Sequence, residues 1–145
     1  MYAYSVIAYG FDFSDGKHPI LEGHEIPELM YDYINEGDLL DTHYSGISRP
    51  YYIGTRLCDI NPIELRGECI ISLIDDVKNK VQNNKEYYND RIIKKIDNII
   101  GDIETNAKDY VDDYGYTQDD ISKTIDYFKK LKTVEPSCIT ILATS

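Results

Sequence analysis

Residues 83–115 read NNKEYYNDRIIKKIDNIIGDIETNAKDYVDDYG, and the architecture follows from their spacing. Ile92, Ile96, Ile99, Ile103, Ala107, Tyr110 and Tyr114 recur at steps of 4, 3, 4, 4, 3 and 4, which lays one apolar stripe along an α-helix. Asn83 followed by Glu86 supplies a capping residue with an acid three positions on, so a long amphipathic helix is predicted from there to Tyr114. Gly101 inside it costs about 1 kcal/mol relative to alanine. Steps that sum to seven suit packing along a neighbouring helix. The preceding segment is the expected neighbour, folding back through residues 82–85 as an antiparallel pair.

That preceding helix starts at Asn61-Pro62-Ile63-Glu64, where a capping Asn, a first-turn Pro and a Glu three residues after the cap concur. Ile63, Ile70, Ile74, Val77 and Val81, supported by Leu73, give it one face as far as about residue 82. On the other side, Gly115 closes the long helix. Thr117 caps the next, with Asp120 at its third position, and Ile121, Ile125 and Phe128 carry it towards Lys132. A shorter helix is expected between Pro27 and Glu36, on Leu29, Met30, Tyr33 and Ile34, with Gly37 as its stop.

Three segments read as strands. Residues 2–11 are large on both parities, as in a strand buried on two sides and placed inside the sheet; Asp12 to Gly16 then forms a turn. Residues 51–59 alternate, with one more polar face, and residues 138–143 are β-branched and apolar after the stop at Pro136. Residues 38–50 carry Ser45, Gly46, Ser48 and Pro50 without periodicity, a long loop. The expected fold class is therefore α+β: a small three-stranded sheet covered by about four helices, in the order β-α-β-α-α-α-β. Neither a repeat nor a linker divides the chain, which reads as a single domain over residues 1–145.

The 145 residues are 42% apolar and 28% charged, with 26 acids against 15 bases and a net charge of −11. That balance argues against direct binding to nucleic acid or to anionic membranes. With neither a membrane-length apolar run nor a signal-peptide pattern, a soluble cytoplasmic protein is expected. Cys58, Cys69 and Cys138 are widely spaced and read as reduced core thiols.

Catalytic and cofactor signatures are weak, and no cofactor or metal is expected. His18, His24 and His43 lie in loop-rich sequence with Glu22 and Glu25, but not at the spacing of a zinc site. The glycines form no phosphate cradle, the Asp-rich turns do not match a calcium loop, and neither Cys nor Ser sits in a nucleophile motif. Gly46-Ile47 followed by Tyr52-Ile53-Gly54 superficially resembles the GIY-YIG nucleases. Here Ser48 replaces the third motif residue and only Arg49, Pro50 and Tyr51 intervene, too few for two paired strands and a turn. The likeness is rejected. A loop site around His43, Tyr44 and Arg49, with His18 or His24, remains the enzyme alternative; a homo-oligomeric structural protein is another.

Charge placement is the feature that stands out. Between Asp12 and Asp41 nine acids face one base, Lys17; between Asp97 and Asp120 eight acids face one base, Lys108. The carboxylates of the second stretch must face water or a cationic partner. Fourteen Tyr are more than one small core can bury, and Tyr is favoured at interfaces. The reading is an acidic protein-binding module that docks on a basic protein, such as a nuclease or another nucleic-acid-handling protein. Asp97, Asp102, Glu104, Asp109, Asp112, Asp113, Asp119 and Asp120 make the charged contact, and Tyr110, Tyr114 and Tyr116 anchor it. In size, acidity and lack of catalytic motifs the chain resembles phage-encoded inhibitors, anti-restriction and anti-CRISPR proteins among them. Its Tyr-, Ile-, Asn- and Lys-rich, Trp-free composition is that of an AT-rich genome. The resemblance implies an anti-defence or host-takeover protein in the host cytoplasm, with nucleic-acid mimicry as its mode.

Overall fold

The computed structural model describes residues 4–13, 21, 23–34, 40–41, 52–60, 68–136 and 138–144. Four strands, β1 (Tyr4–Asp12), β2 (Leu40–Asp41), β3 (Tyr52–Ile60) and β4 (Cys138–Thr144), form one sheet in the order β2-β3-β1-β4. β1 is antiparallel to both neighbours and lies inside the sheet, as its two-sided apolar pattern requires: Ile7, Ala8, Tyr9 and Phe11 are all buried. The sheet has one strand more than expected, because β2 pairs parallel with β3 over two residues only, too few to leave a pattern in sequence.

The register with β3 shifts between Ile7 and Ala8, a bulge, and beyond it Gly10 stands opposite Gly54. Both positions require glycine. A Cβ on Gly10 would lie 2.5 Å from Gly54 Cα, and one on Gly54 would lie 2.7 Å from the Tyr9 carbonyl oxygen and against the Tyr52 ring. The strands approach so closely because neither residue has a side chain.

Five helices are described where about four were expected: α1 (Glu28–Ile34), α2 (Glu68–Asn83), α3 (Lys85–Thr105), α4 (Ala107–Tyr114) and α5 (Gln118–Leu131). The class is mixed α+β, and the order becomes β-α-β-β-α-α-α-α-β. The predicted helix start at Asn61 lies outside the described residues. The extra helix arises at Asn106, which departs from helical geometry (φ −99°, ψ 8°) and splits the predicted long helix in two. The cause is local: Thr105 Oγ1 donates to the Gly101 carbonyl at 2.8 Å, and Asn106 Nδ2 donates to the Asp102 carbonyl at 2.9 Å, so side chains compete for carbonyls of the preceding turn. Asn84 repeats the device between α2 and α3, donating from Nδ2 to the Lys80 carbonyl at 2.9 Å, with φ −128° and ψ 31°.

The expected antiparallel pairing of α2 with α3 is not formed. The two helices meet at the Asn84 junction, and α3 packs instead on α5 and β3. Lys132 pairs with Asp97 at 2.6 Å and Glu135 pairs with Lys85, so the α5 end of the chain runs antiparallel to α3. Ile92, Ile96, Ile99, Ile100 and Ile103 of α3 enter one apolar cluster with Ile7, Tyr9 and Phe11 of β1, Ile53 and Leu57 of β3, and Ile121, Phe128 and Leu131 of α5. Two polar contacts fix α3 on the sheet: Tyr9 Oη donates to Asn89 Oδ1 at 3.1 Å, and Arg91 Nε donates to the buried Thr55 Oγ1 at 3.2 Å. Among the described residues no helix is long and apolar enough to cross a membrane.

Two alanine substitutions should move stability in opposite directions. Gly10→Ala forces the strands apart and should cost about 2 kcal/mol, several degrees in Tm. A Cβ on Gly101 meets nothing within 4 Å, so Gly101→Ala should stabilise by roughly 0.5–1 kcal/mol. Thermal unfolding followed by circular dichroism tests both; a neutral Gly10→Ala would contradict the close approach of β1 and β3.

Candidate partner-binding face on α4

α4 follows α3 through the non-helical Asn106, and none of its residues is fully buried. Ala107, Tyr110 and Val111 rest against the core with one side. Gly115 ends the helix in the left-handed region (φ 76°), and the Gly115 and Tyr116 amides both donate to the Tyr110 carbonyl. That reversal brings Tyr116 edge-on to Tyr110 with ring centroids 6.3 Å apart, while Tyr114 lies 5.9 Å from Tyr110 on the other side. Tyr114 is 71% exposed. The three tyrosines singled out from sequence therefore form one cluster, in which Tyr110 and Tyr116 are partly buried against the core and Tyr114 is open to solvent.

The eight carboxylates separate into two groups. Asp97 is neutralised by Lys132 and Asp119 by Lys123 at 2.9 Å, while Asp120 closes a capping box with Thr117. The Thr117 amide and hydroxyl hold the Asp120 carboxyl below its ordinary value, and the hydrogen bond from Lys123 to Asp119 raises the lysine. Asp102 accepts from Asn106 Nδ2 at 3.2 Å. These four have local duties. Glu104, Asp109, Asp112 and Asp113 are exposed, and among the described residues none of them is in an ion pair.

Asp109, in the first turn of α4, is favourably placed, but the other three are not. Neither α3 nor α4 carries a base in its last turn, where the partial negative charge of the helix end favours cations. Asp102 and Glu104 occupy the end of α3, and Asp112 and Asp113 the end of α4, each at a cost of about 0.3–1 kcal/mol that an approaching cation would reverse. Asp102 has a local partner in Asn106, whereas no hydrogen bond or ion pair among the described residues accounts for Glu104, Asp112 and Asp113 there.

The fold also joins the two acidic stretches. An open cleft of about 660 Å³ runs between residues 23–29 and α5; Glu25 and Glu28 come from the first stretch, and Asp120, beside Tyr116, from the second. Lys123, Asp126 and Lys130 also line it, so its charge is mixed. At its floor Tyr127 is buried. Loss of water pushes its hydroxyl up to about 12, Tyr31 adds to the rise, and the Leu21 amide opposes it without a hydrogen bond of standard geometry. Sequence reasoning missed this cleft, because its walls are about a hundred residues apart in the chain and nothing in either wall's spacing refers to the other.

Of the residues in the enzyme alternative, His18, His43, Tyr44 and Arg49 lie outside the described residues. His24 is exposed at the cleft. Among the described residues no three His, Cys, Asp or Glu side chains are grouped to hold a metal ion. Cys58 is half-buried and in no disulfide; the side chains of Cys69 and Cys138 lie outside the described set.

No protein-family model, curated protein or solved structure matches this chain.

The capping box gives a pH dependence. Its carboxyl titrates lower in the folded chain, so its contribution is present above the ordinary carboxylate value and is lost as pH falls through the depressed one. The Tm deficit of Asp120→Asn relative to wild type should thus be largest near pH 7 and shrink below about pH 4. A deficit independent of pH would contradict the ionic cap.

Proposed function

We propose that the chain is an acidic protein-binding module that presses α4 and the last turn of α3 onto a basic surface of a nucleic-acid-handling protein. The bound carboxylates take the place of phosphates and block that surface, the mode of a phage-type anti-defence or host-takeover inhibitor acting in the host cytoplasm. The observation that carries the reading is the set of exposed acids in no ion pair among the described residues, Glu104 at the end of α3 and Asp109, Asp112 and Asp113 on α4, beside the exposed Tyr114. Charge of this kind speeds encounter and selects cationic partners, while Tyr114 offers rigid apolar area. Asp97, Asp119 and Asp120 are removed from the contact surface first drawn from sequence, since Lys132, Lys123 and Thr117 already engage them.

The test is capture of partners from a cell lysate with the purified chain in rising salt, repeated with Asp109→Asn/Asp112→Asn/Asp113→Asn and with Tyr114→Ala. The triple variant should bind about tenfold more weakly, and Tyr114→Ala should weaken binding by a similar factor while leaving Tm nearly unchanged. Partner captured by the wild type should also be displaced from duplex DNA. A partner held equally by the triple variant in 1 M salt, where the Debye length is about 3 Å, would contradict a charge-led contact.

A further inference from the structure

β4 ends the sheet: it pairs with β1 from Tyr4↔Thr144 to Gly10↔Cys138 without a register shift, and among the described residues no strand pairs with its other side. Every second residue of such a strand turns its backbone N–H and C=O away from the sheet. Sheet edges in proteins are ordinarily guarded by lysine, proline, a bulge or extreme shortness. β2, the opposite edge, is two residues long and so guarded by its length. β4 has none of these devices. Its seven residues, Cys138-Ile139-Thr140-Ile141-Leu142-Ala143-Thr144, include no charge, proline or glycine, and four of them are β-branched.

We infer that β4 pairs antiparallel with β4 of a second copy of this chain about a two-fold axis at Ile141, joining two sheets into one of eight strands. Centred there, Cys138 meets Thr144, Ile139 meets Ala143, Thr140 meets Leu142 and Ile141 meets itself, so all seven residues are in register. Net charge selects the place. Two chains at −11 repel over most of their surface, whereas residues 136–145 carry no charged side chain. Uncharged strands brought together at the two-fold meet without that opposition. The contact is self-complementary and closes at two copies, so it yields a dimer and not a fibre. It is independent of the α4 reading and opposite in salt response: salt weakens a charge-led contact but here screens the repulsion between copies.

Light scattering on the full chain after size exclusion, over a dilution series at low and high salt, should give twice the 16.7 kDa chain mass, retained or increased in salt. Ile141→Cys should form a disulfide-linked dimer on mild oxidation beyond the wild-type background, because the axis sets that residue against itself. Of Thr140→Pro and Ile141→Pro, one places proline where the N–H points away from β1, so it should stay folded by circular dichroism and be monomeric. A wild type that is monomeric throughout, a dimer that survives in the folded proline variant, or no cross-link above background would each overturn the inference. Should both prolines unfold the chain, the cross-link decides it.

Discussion

Burial of the α3 isoleucines beneath the sheet and α5 is the constraint on which the remaining architecture hangs. Five isoleucines removed from water contribute roughly 10 kcal/mol gross, comparable with the whole net stability of a domain this size. With that stripe fixed inward by Tyr9–Asn89 and Arg91–Thr55, the rest of the helix circumference is committed to solvent. The α3 axis then determines where Asn106 sits and where α4 begins. α4 rests on the core through the partly buried Ala107, Tyr110 and Val111 and touches α5. A helix with so little buried surface is available to something else.

What it offers is a charge arrangement that opposes its own stability. Acids at helix N-termini are common because they are favourable, and Asp119 and Asp120 of α5 follow that rule, as do Lys129 and Lys130 at its other end. α3 and α4 break it. One molecule thus contains a helix charged as folding prefers at both ends and two whose last turns are charged the other way. The placement of these carboxylates carries information that net charge does not, since net charge says nothing of where they stand.

Much of this was legible in sequence where the chemistry is local or periodic. Ile92, Ile96, Ile99 and Ile103 were read from spacing and are buried; Thr117 with Asp120 was read as a cap and is a capping box; Gly115 was read as a stop and has positive φ. Local competition was harder to weigh. Asn106 sits inside a strongly helical pattern, and the stripe's period outvoted it, although its side chain shares the Asp102 carbonyl with its own amide; Asn84 falls in the break expected at residues 82–85. Tertiary facts left no trace. Asp97 finds Lys132 thirty-five residues away, so the acids that are neutralised could not be told from those left open, whereas Asp119 and Lys123, four apart on one helix, could have been paired in advance. The parallel bridge of β2, the packing of α3 on α5 in place of α2, and the cleft beside α5 likewise depend on how distant segments meet.

Native-state hydrogen exchange, read residue by residue, measures directly whether α4 is presented outward or built into the core. Amides of Ile92 to Ile103 should exchange only through global unfolding, while those of Val111 to Tyr114 should exchange orders of magnitude faster through local opening, and should slow when a partner is bound. Equal protection of the two segments in the free protein would place α4 within the core and contradict the account.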